Sequence, residues 1–422
     1  MTSPLLPLPI DAFRDANGLA VFSSVDEAVA VLAPDEPVQC LYPERLQANA
    51  RAFLDGFPGR VLYAVKSNPD RRVLQYLYRA GVRHFDVASL PEIELVRGLF
   101  PHARLSFMHP VKSRRAIAAA YRYGVKDFAV DSDGEILKII EETNAARRVN
   151  LFVRLALPKG EAALNLSEKF GATPEEAVTL LRQARRLSAK LGLCFHVGSQ
   201  CLSPEAYRTA IKLAREVIDQ AGVKVDILDV GGGFPVAYPG QTPPPVDTFL
   251  AATRAAAEAN GFAGTELWCE PGRAIGATAG SILVKVEMRR GDRLYINDGT
   301  YGSLFDAGAL GWRFPVRLIR ARGPASEMLL PFSFYGPTCD CIDVMKGPFY
   351  LPEDVQEGDW IEVANLGAYG FAMRTAFNGF YSDTTVAILP EDVASARARR
   401  SSAKPIRLHD RLAARAGRQA TK

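Results

Sequence analysis

The sequence has few cysteines and no paired-cysteine motif. Its six cysteines are spread over 422 residues, and none of them belongs to a C-x-x-C pair. A zinc ribbon and a dithiol redox motif both need such pairs, so the sequence argues against either one. We therefore expect no metal site.

Long apolar runs and a secretory leader are also missing. No apolar stretch reaches the roughly 18 residues that could span a bilayer. The segment Met1 to Ala20 lacks a basic stretch followed by a sustained apolar core. The sequence thus predicts a cytoplasmic protein with reduced thiols and no membrane partner.

Neither sign of charge is in excess. The 51 basic and 47 acidic residues give a net charge of +4, which is too balanced to indicate a nucleic-acid partner. With 48% hydrophobic and 23% charged residues, the composition is that of a globular protein. A small-molecule partner is the better expectation.

Short β-prone runs alternate with segments of helical spacing from near Val61 to about Glu270. The eight predicted strands are Val61 to Lys66, His84 to Val87, Arg104 to Met108, Asp127 to Val130, Asn150 to Leu155, Cys194 to Val197, Val225 to Val230 and Glu266 to Cys269. Eight such alternations predict a (β/α)8, TIM-like barrel, and the whole chain belongs to the class α/β plus β.

After Gly280 the strand-like runs are no longer separated by helices. They are Ser281 to Met288, Arg293 to Asn297, Val316 to Ile319, Trp360 to Val363 and Thr384 to Ile388. Val38 to Tyr42 also has an extended pattern, so we expect a discontinuous β domain, sandwich-like or barrel-like. The predicted divisions are residues 1–43, which join the β domain, 44–279 for the barrel, 280–392 for the β domain and 393–422 for a basic tail.

The reactive residues of such barrels lie at the C-terminal ends of the strands. At or just after these ends the sequence places Lys66, Asp86, Arg154, His196, Ser199, Gly231, Gly232, Gly233, Glu270, Gly272 and Arg273. An amine, an imidazole, a glycine loop, a carboxylate and a guanidinium on one rim suit a cofactor that carries a phosphate.

Each residue type contributes a distinct chemistry. A lysine at a strand end can form a Schiff base with a carbonyl compound. The glycine loop lets backbone N–H groups approach an anion, and Arg273 can bind phosphate oxygens. Glu270 can pair with a pyridinium nitrogen. His196 can stack on a flat ring, although a lone histidine of this kind is more often a packed core residue.

Two turns of the β domain add further candidates. Gly336 to Asp340 presents the thiol of Cys339 and the carboxylate of Asp340. A thiol can reprotonate a carbanion, although a buried structural cysteine is the more common case. Tyr369 lies in a glycine-containing turn, where it either donates to a phosphate or packs.

In order along the chain, six motifs resemble those of the fold type III pyridoxal-phosphate decarboxylases. They are Tyr63 to Lys66, His196 to Ser199, Gly231 to Pro235, Glu270 to Arg273, Gly336 to Asp340 and Gly367 to Tyr369. Phe85 to Ser89, Lys169 to Ala172 and Gly336 to Asp340 are most similar to eukaryotic-type ornithine decarboxylases. Diaminopimelate decarboxylases usually carry a glutamate at the position of Asp340.

This resemblance implies the cofactor pyridoxal 5′-phosphate and a role for each matched residue. Lys66 would hold the cofactor covalently, Glu270 would contact its ring nitrogen, and His196 would stack on its ring. The phosphate would be bound by Ser199, Gly233, Arg273 and Tyr369. Cys339 would donate a proton after carbon dioxide leaves, and Asp340 would hold the distal amine of the substrate. In the family these last two act in the partner subunit's site, which implies a head-to-tail homodimer with shared active sites.

One departure from the family pattern bears on the substrate. The family's second amine-binding aspartate follows the segment Asp298 to Ser303 at a distance that falls on Leu310 here. Asp306 can take that role only if the loop is shorter in this chain. A buried ammonium needs a carboxylate, so this position affects the discrimination for a diamino acid.

The expected activity is decarboxylation of L-ornithine to putrescine in polyamine biosynthesis. Lysine, diaminopimelate or another amino acid is the alternative substrate. An alanine-racemase type enzyme shares the barrel but would lack the Cys339 motif. A catalytically inactive regulatory homologue is the non-enzymatic alternative, although such homologues typically lose cofactor contacts that this chain retains.

Overall fold

The computed structural model describes residues 14–158, 169–320 and 323–390. It begins with strand β1 (Ala20–Phe22), helix α1 (Val25–Leu32) and strand β2 (Val38–Leu41). Within the described parts, no helix has the length and apolar character needed to cross a membrane. The predicted basic tail, residues 393–422, lies outside the described residues.

Eight parallel strands form a closed barrel, and at least one helix follows each of them. The strands are β3 (Arg60–Ala64), β4 (His84–Val87), β5 (Arg104–Phe107), β6 (Asp127–Val130), β7 (Asn150–Arg154), β8 (Leu191–Cys194), β9 (Ile227–Asp229) and β10 (Glu266–Cys269). Helix α2 (Pro43–Gly56) precedes the barrel. The others are α3 (Arg71–Ala80), α4 (Leu90–Leu99), α5 (Arg114–Arg122), α6 (Asp133–Thr143), α7 (Pro174–Leu187), α8 (Glu205–Ala221), α9 (Val246–Ala259) and α10 (Arg273–Gly276).

The barrel closes where β10 pairs with β3, with Trp268 opposite Arg60 and Cys269 opposite Val61. Its interior is filled by a separate apolar cluster of Leu62, Met108, Ala129, Phe152, Cys194, Ile227 and Trp268. A larger core lies between the strands and the surrounding helices. Because the middle of the barrel is filled in this way, a ligand site is left to the strand ends.

The second domain is a nine-stranded sheet. Its later elements are β11 (Gly280–Arg290), β12 (Arg293–Ile296), α11 (Phe305–Ala309), β13 (Val316–Ile319), β14 (Leu329–Tyr335), β15 (Val344–Pro352), β16 (Trp360–Val363) and β17 (Thr385–Ile388). Strand β2 pairs antiparallel with β11 and parallel with β17, and β1 pairs with β17. The N-terminal strands therefore belong to the same sheet as the C-terminal ones.

The predicted fold class, a (β/α)8 barrel with a β domain, is confirmed. The sixth strand was predicted wrongly as Cys194 to Val197, because β8 runs from Leu191 to Cys194. Glycine usually weakens a strand pattern, but here the ring of Phe152 occupies the space that a Cβ of Gly192 would need. The first strand also ends early, at Ala64, so that Lys66 lies just beyond it.

Candidate active site

A cavity of about 350 Å³ opens at the C-terminal ends of the barrel strands. Eight residues predicted from the sequence line it: Lys66, Asp86, Arg154, His196, Ser199, Glu270, Arg273 and Tyr369. Asp86 and Arg154 lie near the ends of β4 and β7, five others follow barrel strands, and Tyr369 comes from the β domain. The strand ends therefore bring together residues from distant parts of the sequence.

Lys66 lies in the 3-10 turn Val65–Ser67 that follows β3. The β domain holds this turn, because the N–H of Tyr369 donates to the carbonyl of Ser67 at 2.7 Å. The side-chain amide of Asn68 donates to the carbonyl of Gly367 at 2.8 Å. Tyr369 has a φ of +66°, a conformation that costs energy for a residue other than glycine. The position of Lys66 thus depends on both domains.

The amine of Lys66 is paired with a carboxylate. Its Nζ lies 3.6 Å from Asp86 Oδ2, and its side chain is 44% exposed because it lies in the cavity. Burial lowers the pKa of Lys66, but Asp86, Tyr369 and Glu270 together raise this pKa above its usual value. The amine is therefore protonated at neutral pH, and it must lose that proton before it can attack an aldehyde.

His196 presents a neutral, flat ring to the cavity. Its Nδ1 accepts a hydrogen bond from the N–H of Gly198 at 3.0 Å, so the ring proton belongs on Nε2. Burial, with the charges of Lys66 and Arg154, lowers the pKa of His196 well below its usual value. The ring is thus suited to stacking rather than to donating a proton.

The glycines after β9 and β10 lie where no side chain fits. A Cβ on Gly232 would lie 2.6 Å from the carbonyl oxygen of Glu270 and 3.1 Å from Nε2 of His196. Gly231 and Gly233 both have positive φ angles, of +67° and +101°. A Cβ on Gly272 would lie 2.9 Å from the side chain of Ser67 in the lysine turn. These glycines allow the close backbone approach that an anion site needs.

Glu270 forms an acid pair with a residue for which the sequence predicted no role. Asp229 is fully buried at the end of β9, and its Oδ1 accepts a hydrogen bond from the N–H of Gly231 at 2.9 Å. Asp229 and Glu270 are neighbouring carboxyls, and each shifts the pKa of the other. Burial raises the pKa of Asp229 to about 7, and burial together with Asp229 raises the pKa of Glu270 well above its usual value. Two neighbouring carboxyls whose pKa values are both raised do not both ionise readily, so we expect the pair to retain a proton at neutral pH.

The acid pair makes the stability of the cofactor-free protein depend on pH. The pKa of Asp229 is raised in the folded protein. Between about pH 4 and 7 the folded protein therefore keeps a proton on Asp229 that the unfolded chain has lost. Stability should therefore fall as the pH rises through this window. Asp229→Asn keeps the acceptor for Gly231 and can donate to Glu270. The melting temperature of the variant, relative to that of the wild type, should therefore be higher at about pH 8 than at about pH 5. Calorimetry of the two proteins at both pH values tests this, and parallel pH profiles would contradict it.

Arg273 is buried and held on several sides. Its Nη1 lies 3.3 Å from Tyr238 Oη and 3.4 Å from Asp306 Oδ2. Its Cζ lies 4.5 Å from the ring centroids of both Trp312 and Tyr369. Its Nε is buried and has no hydrogen-bond partner in the part of the chain that the structure describes. Buried donors are normally paired, so this atom is available to donate to a ligand.

Cys339 and Asp340 do not line the cavity of their own chain. Cys339 is exposed and Asp340 is half-buried, in the turn between β14 and β15. The hydroxyl of Tyr301, which the sequence did not single out, donates to Asp340 Oδ2 at 2.6 Å. Asp306, the second candidate for substrate binding, does not line the cavity either. The structure thus brings together the predicted cofactor residues but not the predicted substrate residues.

The residues of the cavity fit pyridoxal 5′-phosphate. An aldehyde needs an amine, which Lys66 supplies, and a pyridine nitrogen needs an acid such as Glu270. A phosphate needs donors, and the unpaired Nε of Arg273 is one. Among the described residues no group of three or more His, Cys, Asp or Glu side chains could hold a metal ion.

Comparison with known proteins agrees with this donor set. Residues 44–277 match the family described as pyridoxal-dependent decarboxylase, pyridoxal binding domain. The chain is 36% identical over 338 residues to the lysine/ornithine decarboxylase of Selenomonas ruminantium, which covers 77% of this chain and 82% of that protein. It is 32% identical over 360 residues to antizyme inhibitor 2 of Xenopus laevis, which covers 78% and 75%.

A solved structure is similar over most of the chain. It is the lysine/ornithine decarboxylase from Vibrio vulnificus complexed with cadaverine, with a TM-score of 0.75 and 31% identity. The match covers 89% of this chain and 100% of that one.

Fold and site together define a fold type III pyridoxal-phosphate-dependent decarboxylase, a carboxy-lyase. Within that class the chain belongs to the ornithine decarboxylase family. The family, the enzyme class and the cofactor predicted from the sequence are confirmed.

Proposed function

We propose that the protein decarboxylates L-ornithine to putrescine, a step of polyamine biosynthesis, with L-lysine as the nearest alternative substrate. The observation that carries this proposal is the convergence of Lys66, Glu270 and Arg273 on one cavity. The Selenomonas relative is a lysine/ornithine decarboxylase, which favours a basic substrate. Asp340 favours ornithine or lysine over diaminopimelate, because it stands where diaminopimelate decarboxylases usually carry a glutamate.

The residues of the cavity divide into cofactor-binding groups. When bound, pyridoxal phosphate supplies a ring that accepts the electron pair released with carbon dioxide. In this proposal Lys66 holds the cofactor covalently, Glu270 contacts the ring nitrogen, and His196 stacks on the ring. The remaining cofactor contacts are assigned to Asp86, Arg154, Ser199, Gly231, Gly232, Gly233, Gly272, Arg273 and Tyr369.

Asp86 is placed to manage the proton of Lys66. The lysine amine is protonated at neutral pH, and Asp86 Oδ2 lies 3.6 Å from it. Burial raises the pKa of Asp86, although Lys66 and Arg154 oppose this. A carboxylate with a raised pKa is a better base, so Asp86 would take the proton that Lys66 must lose.

The substrate end of the site would be completed by a second copy of the chain. Cys339 would be the proton donor to the product carbon, and Asp340 would hold the distal ammonium, both acting in the site of the partner of a head-to-tail homodimer. Two observations support this. Cys339 is exposed at the surface of its own chain, and large apolar side chains near it are exposed too: Ile342 by 61% and Phe377 by 43%. Exposed apolar surface of this kind is typical of an interface.

Carbon dioxide release from a panel of amino acids tests the substrate. The panel contains ornithine, lysine, arginine and diaminopimelate, with the D-isomers as controls. We expect the highest kcat/KM for L-ornithine and the next for L-lysine. No release from either substrate by the cofactor-loaded enzyme would refute the proposal, and release from arginine or diaminopimelate alone would reassign the substrate.

A further inference from the structure

The carboxylate of Asp306 is already occupied by a cation of the same chain. Its Oδ2 lies 3.4 Å from Nη1 of Arg273, and its side chain is only 9% exposed. Tyr238 Oη contacts the same Nη1 at 3.3 Å. The buried guanidinium therefore has one carboxylate counter-charge, as a buried cation requires.

The helix that carries Asp306 is fixed in this position. The carbonyl of Asp306 accepts a hydrogen bond from the N–H of Trp312 at 3.0 Å, and the Trp312 ring stacks on Arg273. On the other side of α11, the hydroxyl of Thr300 fills the space that a Cβ of Gly308 would need. A helix confined on both sides keeps its aspartate on Arg273.

A substrate ammonium at Asp306 would meet an electrostatic obstacle. Any cation that contacts this carboxylate lies within a few ångströms of the Arg273 guanidinium, and like charges at that distance repel. The ammonium would also have to compete for Oδ2 with a preformed ion pair. A phosphate at Arg273, in contrast, meets the unpaired Nε without disturbing Asp306.

We propose that Asp306 is a positioning residue that orients Arg273 toward the cofactor phosphate and partly neutralises its charge, rather than a ligand of the substrate amine. This inference rests on the proposed phosphate-binding role of Arg273. It leaves Asp340 of the partner subunit as the single carboxylate for the distal ammonium. With one carboxylate, the site should discriminate weakly between ornithine and lysine.

Two affinities of the cofactor-free protein test the inference. One is for pyridoxal phosphate, and the other is for pyridoxal, which lacks the phosphate. Asp306→Asn still accepts a hydrogen bond from Arg273 but removes the counter-charge. The dianionic phosphate should therefore bind more tightly to the variant. We expect the ratio of the two affinities to rise about fivefold. The matched variant Asp306→Glu retains the charge and should stay within about twofold of the wild type. In the cofactor-saturated enzyme, Asp306→Asn should lower kcat/KM for ornithine far less than Asp340→Asn does.

The outcomes separate the inference from its premise. If Arg273→Gln leaves the affinity ratio unchanged, Arg273 does not bind the phosphate and both ideas fall. If Arg273→Gln lowers the ratio but Asp306→Asn leaves it unchanged, or weakens both ligands equally, only the positioning role is refuted. A loss of about 100-fold in kcat/KM for ornithine in Asp306→Asn would instead restore Asp306 as an amine ligand.

Discussion

Mixing Lys66→Ala subunits with Cys339→Ala subunits is expected to restore an activity that neither variant has alone. If each site takes Lys66 from one subunit and Cys339 from the other, a mixed dimer has one site with both residues intact. Random reassociation makes half of the dimers mixed, so diamine formation should recover to about a quarter of the wild-type value. Each parent variant should lose at least about 100-fold.

A matched control makes the mixing experiment decisive. Lys66→Ala subunits mixed with Glu270→Gln subunits should not recover, because these two residues line the same cavity of one chain. Recovery in this control, or none in the Lys66 and Cys339 mixture, would contradict shared sites. Sedimentation of the wild type should give the mass of a dimer.

Asp340→Asn is expected to lower kcat/KM for ornithine by roughly 100-fold or more, because it removes the only charge proposed to meet the buried ammonium. Cofactor absorbance should stay at the wild-type level, since Asp340 does not line its own chain's cavity. Steady-state kinetics with cofactor titration measure both quantities. An unchanged kcat/KM would remove Asp340 from substrate binding.

Tyr301→Phe tests the same contact with a smaller expected effect. It removes the hydroxyl that donates to Asp340 Oδ2 but leaves the carboxylate in place. The loss of one hydrogen bond predicts a fall in kcat/KM of roughly fivefold to tenfold. A fall as large as that of Asp340→Asn would mean that Tyr301 itself contacts the substrate.

The barrel could be predicted from the sequence because its eight strands are short β-prone runs at regular spacing. Strands β14 and β15 could not be predicted. Pro331 and the pair Gly347 and Pro348 interrupt their patterns, and proline usually argues against a strand. β15 is an edge strand of the sheet, and an edge strand tolerates proline. Strand signals thus fail where tertiary position relaxes the requirement for hydrogen bonds.

The predicted cofactor residues of the barrel share one property, which is that they lie at or just after the ends of parallel strands that meet at one rim. Asp229 ends such a strand too, and its neighbour β10 leads to Glu270, so this pairing was the one available signal for the acid pair. Nothing in the sequence pointed to Tyr238 and Trp312 as site residues, because only the folded chain brings these loop aromatics close to Arg273. The contact of Asp306 with Arg273 likewise depends on how the β domain lies against the barrel.

Borohydride reduction of the cofactor-loaded enzyme, followed by peptide mass spectrometry, tests the central claim most directly. Reduction fixes the cofactor to the amine that holds it. The label should lie on the peptide that contains Lys66, and Lys66→Ala should take up none. A label on another lysine near the cavity, such as Lys112 or Lys169, or a wild-type protein without any label, would contradict it.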